Sequence, residues 1–273
     1  MTQAHLSHWP KGVPQSLPAA THTLDDNLRR SAERHPDKVA LNFYGATTCY
    51  DELDQQVTAI AAYLQSACGV QKGDRVGLYM QNAPQFVAGF YGVIRAGGVV
   101  VPINAMHLTD ELAYICENAQ IETLLSAQDL VKNIMPLVAS GTVKHVVAAH
   151  YAAALASAHE AGIDIPAMVK APFVPLPDGV IDWADMMSAD LALRPVALSP
   201  TDTCAIPYTS GSTGRAKGCV HTHQTALHGV DAIAHWFGYT GDEIHLGVTP
   251  MFHIVGLQGI MNVAISTGAT IVI

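Results

Sequence analysis

Charge is scarce in this chain, and basic charge scarcer still. Of 273 residues 14% are charged, with 14 Lys and Arg against 23 Asp and Glu, for a formal net charge of -9 with histidine neutral. Binding along a nucleic-acid backbone needs clustered Lys and Arg, so that class is excluded, although a local basic spot for a nucleotide is not. The five cysteines (Cys49, Cys68, Cys116, Cys204 and Cys219) are odd in number, and none stands at C-x-x-C spacing. A disulfide framework or a cysteine zinc site is therefore excluded, and reduced thiols in a cytoplasmic protein are expected. Met1 to Pro18 lacks a basic start followed by an apolar run, so it is not a signal peptide. Ile254 to Ile273 carries no Asp, Glu, Lys or Arg. Gln258, Asn262, Ser266, Thr267 and Thr270 punctuate that run and Gly268 splits it, which points to a buried helix over about 255–266 and a strand over 269–273, not to a membrane span. No amphipathic basic helix is present either, so membrane contact is expected to be peripheral at most.

Apolar material makes up 49% of the chain, ample for a packed core. Its distribution alternates. Short apolar runs at 39–44, 76–80, 99–103, 121–126 and 143–149 read as strands. Between them, 50–67, 83–96, 110–118 and 130–139 read as helices, with Leu53, Val57, Ile60, Ala61 and Leu64 at helical spacing on the first. Thr23 before Leu24-Asp25-Asp26 reads as a helix start, as does Thr109. Buried strands alternating with helices predict an α/β fold of mostly parallel sheets covered by helices. The expected divisions are an N-terminal arm and first helix over 1–35, a first α/β subdomain over 36–198, and a third region over 199–273. Residues 151–190, rich in Ala and Pro, read as a connecting segment. Tyr79, Phe86, Phe90 and Tyr91 read as packing aromatics.

The most particular stretch is Tyr208-Thr209-Ser210-Gly211-Ser212-Thr213-Gly214-Arg215-Ala216-Lys217-Gly218, which follows an expected strand at 202–206 and precedes a helix expected to begin near Gln224. Glycines allow close backbone approach, consecutive N–H groups form a concave anion nest, hydroxyls add hydrogen bonds, and Lys217 adds a compact positive charge. A flexible surface loop is the bland alternative. Residues 216 and 218 are Ala and Gly, so this is not the P-loop G-x-x-x-x-G-K-S/T, and Gly211 and Gly214 do not make the dinucleotide fingerprint. His221-x-His223 suggests a metal, but on a strand the two rings face opposite ways, and no Cys or carboxylate stands at ligand spacing.

The same run resembles the signature Tyr/Phe-Thr-Ser-Gly-Ser/Thr-Ser/Thr-Gly-x-Pro-Lys-Gly of the adenylate-forming (AMP-binding) superfamily, departing from it at Ala216, where the family usually has Pro. The resemblance extends along the chain. Tyr50-Asp51-Glu52-Leu53 is similar to the family's Y-x-E-L. Ile94 to Asn104 resembles its helix, glycine turn and strand, though Ala105 replaces a usual Pro. Thr249-Pro250-Met251-Phe252-His253-Ile254-Val255-Gly256 resembles the P-x-F-H-x-x-G of acyl-CoA ligases. Trp9 to Pro14, with Asp25, Asn27 and Leu28, is similar to bacterial fatty acyl-CoA ligases.

That resemblance implies the N-terminal part of an acyl-CoA synthetase large domain, incomplete because the family's Y-G-x-T-E motif, ribose-binding Asp, hinge and distal catalytic Lys are absent. The 273 residues alone are therefore expected to be inactive. It implies an ATP-dependent acid–thiol ligase that activates a fatty acid as acyl-adenylate and transfers it to coenzyme A. Thr209, Ser210, Gly211, Ser212, Thr213 and Gly214 would hold the β- and γ-phosphates, and Thr209 would also help coordinate Mg²⁺. Lys217 would contact phosphate or neighbouring backbone. His253 would lie beside the carboxylate, unless it is a core histidine satisfied by backbone. Adenylation of an aryl or amino acid, a non-catalytic nucleotide-binding module and a structural protein are the other readings. Ending within an apolar strand, the chain is expected to leave that strand uncapped.

Overall fold

In the computed structural model, which describes residues 4–155, 162–209 and 214–273, a short 3-10 turn, Ala4–His8, stands where a loop was expected. Helix α1 (Leu24–Arg34) follows, with Thr23 as its N-cap and Asp26 completing a capping box. Next come β1 (Val39–Phe43), β2 (Ala46–Cys49) and α2 (Tyr50–Ser66). The alternation then runs through β3 (Arg75–Tyr79), α3 (Pro84–Arg95), β4 (Val99–Ile103), α4 (Thr109–Ala119), β5 (Thr123–Ala127), α5 (Val131–Ala139) and β6 (His145–Ala149). These bounds agree with the sequence reading to within one or two residues. One cap differs: Leu108, not Thr109, precedes α4, and its N–H donates to the Glu111 carboxylate at 2.8 Å.

The connecting segment is more ordered than composition suggests. It holds a 3-10 turn (Tyr151–Leu155), β7 (Val180–Asp182) and α6 (Trp183–Met187). Beyond it lie β8 (Thr203–Ala205), the two-stranded hairpin β9 (Tyr208–Thr209) and β10 (Lys217–Gly218), and β11 (His221–Thr222). Then follow α7 (His223–Phe237), β12 (Ile244–Leu246), a π-helix (Val255–Asn262) that leads into α8 (Val263–Thr267), and β13 (Thr270–Val272).

The large sheet has the order β11-β8-β4-β3-β5-β6-β7, every pairing parallel except that of β11 with β8. The small sheet has the order β12-β13-β1-β2. β1 pairs with β13 from the last region of the chain and β2 pairs with β1, while β8 and β11 complete the large sheet. The uncapped terminal strand is not observed. Because β13 is inserted between β12 and β1, both its edges are hydrogen-bonded. The exposed apolar row falls on the edge strand β12, at Ile244 and Leu246.

Helix α3 lies at the centre, every residue buried, as an all-round apolar helix must be. Phe86, Phe90 and Tyr91 pack there, and Tyr79 is likewise fully buried. Arg95 is its single charged residue. The Arg95 guanidinium reaches Asp25 on α1 and Asp54 on α2, and donates to the Asp54 carbonyl and the Thr58 hydroxyl.

His223 is not on a strand with His221. It opens α7 behind the N-cap Thr222 and is 1% exposed. Its Nδ1 accepts from the Leu24 N–H of α1 at 3.2 Å, satisfying a first-turn donor that has no partner within its own helix. The bond requires a neutral ring. Burial lowers the imidazole from 6.5 to about 4, over the opposing pull of Asp202, Asp25 and Asp26. As pH falls from 6.5 towards 4, the unfolded chain therefore takes up a proton that the folded chain refuses. Stability is expected to drop through that window by on the order of 3 kcal/mol. Urea denaturation at several pH values checks this: His223→Asn, which keeps an acceptor but does not titrate, should flatten the loss, and an unchanged slope would refute it.

Candidate active-site cleft

Parallel strands aim their carboxyl ends at one rim of a sheet, and ligands of α/β proteins bind there. At the ends of β4 and β8 opens a cleft of about 500 Å³, within the size range of small-molecule sites. Pro102, Ile115 and Pro207 give it apolar walls. Asn104, His107, His221 and Cys219 also line it.

Two sequence-predicted site residues meet in this cleft. Thr209 enters from β9, exposed, and His253 enters from the turn that precedes the π-helix. Among the described residues the Thr209 hydroxyl makes a long 3.5 Å contact to the Lys217 carbonyl, too long to hold it firmly. His253 is not a satisfied core histidine: it is exposed, with its ring against Phe252 at 4.8 Å. Lys217 lies opposite Thr209 in the hairpin register, exposed, and is not among the residues lining the cleft. Gly214 has φ +151 with open space around it, a conformation that disfavours other residues. Ser210, Gly211, Ser212 and Thr213 lie outside the described residues.

The turn carrying His253 is held by a residue that the sequence reading passed over. Asn82, just past the carboxyl end of β3, donates to the carbonyls of Gly247 (2.8 Å) and Thr249 (2.9 Å) and accepts from the Met251 N–H (2.7 Å). Both amide donors and one of the oxygen's two acceptor sites are thus spent on a single turn. The polar pair Gln81-Asn82, shortly after the parallel strand β3, was the available signal. His107, Cys219 and His221 were missed as cleft residues because they come from separate elements. Below the turn, the buried Tyr91 hydroxyl donates to Asn262, whose amide donates to Gln258, tying the π-helix to α3.

Among the described residues no group of three His, Cys, Asp or Glu side chains stands together to hold a metal ion. An ion arriving with phosphates fits better, since Mg²⁺ takes one or two protein oxygens and fills its shell from phosphate and water. Thr209 offers such an oxygen. No described helix is long and apolar enough to cross a membrane, and the five cysteines are free.

Known proteins resemble this chain along nearly its whole length. A long-chain-fatty-acid–CoA ligase of Bacillus subtilis (strain 168) is 31% identical over 96% of the chain and 48% of the relative. One from Escherichia coli O6:H1 is 27% identical over 94% of the chain and 47% of the relative. The chain thus spans about half the length of these curated relatives. Among solved structures, the anthranilate CoA ligase AuaEII in complex with anthranoyl-AMP superposes with a TM-score of 0.78 at 20% identity, over 94% of this chain and 45% of that one. A long-chain-fatty-acid-CoA ligase from Archaeoglobus fulgidus gives 0.76 at 24% identity, over 97% and 49%. The family model described as AMP-binding enzyme matches residues 28–273, and the chain accordingly belongs to the AMP-binding enzyme family.

Proposed function

We propose that the whole protein of which this chain is a part is an ATP-dependent acid–thiol ligase acting on a fatty acid. The observation carrying this reading is that Thr209, on the hydroxyl- and glycine-rich hairpin, and His253 open into one cleft at the carboxyl ends of parallel strands. The fatty acid rests on the names of the relatives and on the motif around His253.

In the reaction, a carboxylate oxygen attacks the α-phosphorus of ATP, the bond to pyrophosphate breaks, and an acyl-adenylate forms. The thiol of coenzyme A then attacks the acyl carbonyl and AMP leaves. The run from Thr209 to Gly214 would hold the β- and γ-phosphates through backbone N–H groups and hydroxyls, leaving the α-phosphorus open to the carboxylate. The His253 imidazole donates to a carboxylate oxygen without adding a full charge. Apolar walls exclude water, which would otherwise hydrolyse the adenylate. Mg²⁺, held in part by the Thr209 hydroxyl, would neutralise phosphate charge.

The test is pyrophosphate exchange into ATP by the full-length protein. Exchange should depend on a medium- or long-chain fatty acid and not on an aryl or amino acid. His253→Ala should slow it about 10- to 100-fold, as loss of a polar group that stabilises developing charge does. Exchange driven best by an aryl acid would move the substrate assignment. ATP binding without acid-dependent exchange would leave a nucleotide-binding module.

A further inference from the structure

Among the described residues the strands of the phosphate hairpin pair over Thr209 with Lys217 and Tyr208 with Gly218. Two paired residues per strand cannot hold a hairpin by themselves. Helix α4 supplies what the pairing lacks. Tyr114 and Asn118 stand four residues apart and so share one helical face. The Tyr114 hydroxyl donates to the Ala216 carbonyl at 2.9 Å, and its ring lies 5.2 Å from the Arg215 guanidinium carbon. The Tyr208 hydroxyl donates to the Asn118 side-chain oxygen at 2.6 Å. Burial, with Tyr114 and Cys116 nearby, raises the Tyr208 phenol above 10, so it remains a donor. Gly218 makes room for this pose: a Cβ there would stand 3.2 Å from the Tyr208 ring and 2.7 Å from Ile206.

The helix is itself packed into the core. Leu112, Ile115, Cys116 and Ala119 are buried beneath it, and Arg75 from β3 caps its end through the Ala119 and Gln120 carbonyls at 2.7 and 3.2 Å, the favourable location for a cation. Both arms of the hairpin are thus fastened to one face of a core-packed helix, and Ile115 on that helix also lines the cleft.

We propose that α4 is the platform that positions the phosphate hairpin, with Tyr114 and the Tyr208–Asn118 pair as positioning residues that set affinity for the polyphosphate of ATP. This rests on the reading of the hairpin as a phosphate cradle. The experiment uses the full-length protein in two arms. In the kinetic arm, Tyr114→Phe and Asn118→Ala should each raise KM for ATP about 3- to 10-fold, the worth of one hydrogen bond, with kcat and the acid's KM unchanged. Asn118→Asp, which keeps an acceptor for Tyr208, should restore the wild-type value. In the second arm, trypsin cleavage after Arg215 and Lys217, both exposed, should accelerate in Tyr114→Phe and Asn118→Ala while the urea midpoint stays put. Unchanged cleavage rates and ATP KM in both variants would overturn the proposal, as would equal losses in KM for ATP and acid. A parent without acid-dependent ATP turnover would refute the ligase reading instead, and the cleavage rates would still decide the platform.

Discussion

Gly256→Ala is expected to lower stability by roughly 3 kcal/mol and to displace His253. A Cβ built at Gly256 stands 2.3 Å from the Pro250 carbonyl oxygen, 2.7 Å from that carbonyl carbon and 2.7 Å from the Thr249 oxygen. All three obstacles are backbone, so no side chain can rotate aside. Nor can the turn retreat freely. Asn82 holds it through Gly247, Thr249 and Met251, and the His253 N–H is bonded to the Pro250 carbonyl at 3.0 Å. Relief therefore comes only by moving the segment that presents Phe252 and His253 to the cleft. Gly259→Ala is the matched control. Its nearest neighbour would be the Ile233 methyl at 3.8 Å, and an added methyl on a helix at an open position should be neutral or gain up to about 1 kcal/mol. Urea midpoints of the two variants, with the His253 ring resonances followed by NMR, check the pair. Equal stabilities with an unmoved His253 would sink the argument. The glycine of the P-x-F-H-x-x-G resemblance thus acquires a physical reason, which is backbone contact across the turn.

Arg95→Met is expected to cost about 3–5 kcal/mol, the usual result of removing one partner of a buried ion pair. Arg95 is 3% exposed and Asp25 6%, so the buried carboxylate would be left with Arg29 as its one remaining cation in the described contacts. The guanidinium bridges Asp25 and Asp54 at 2.8 and 2.6 Å and also donates to the Asp54 carbonyl and the Thr58 hydroxyl. One side chain on α3 thereby fixes α1 and α2. Arg95→Lys should recover little, because an ammonium lacks the planar fork that reaches two carboxylates at once. Arg29, whose side chain is 44% exposed in its pair with Asp25, should cost less than about 1 kcal/mol when changed to Ala. Denaturant midpoints of the three variants test this order, and a mild effect of Arg95→Met would show that the cluster is dispensable.

Both arguments depend on contacts between residues far apart in sequence, and that marks the limit of legibility. The alternation from 75 to 149 was readable because buried parallel strands are continuous apolar runs and the helices between them carry their own periodicity and caps. The packing roles of Tyr79, Phe86, Phe90 and Tyr91 followed for the same reason. Within the 151–190 connecting segment β7 was not legible, since it has only three residues and forms by pairing with β6, a stabilisation no local window contains. His223 was placed on a strand because the His-Thr-His spacing fits one, whereas Thr222 caps a helix there.

By itself, the sequence determined the α/β class, the position of the hydroxyl- and glycine-rich hairpin and the candidacy of Thr209 and His253, because runs, caps and motif order are properties of neighbours along the chain. Only the tertiary structure decided that β13 is enclosed between β12 and β1, that Asn82 clasps the His253 turn, and that Tyr114 and Asn118 fasten the hairpin. Those outcomes depend on which surfaces meet when the two sheets close around α3, and a hydrogen bond spanning a hundred residues leaves no trace in the spacing of either partner.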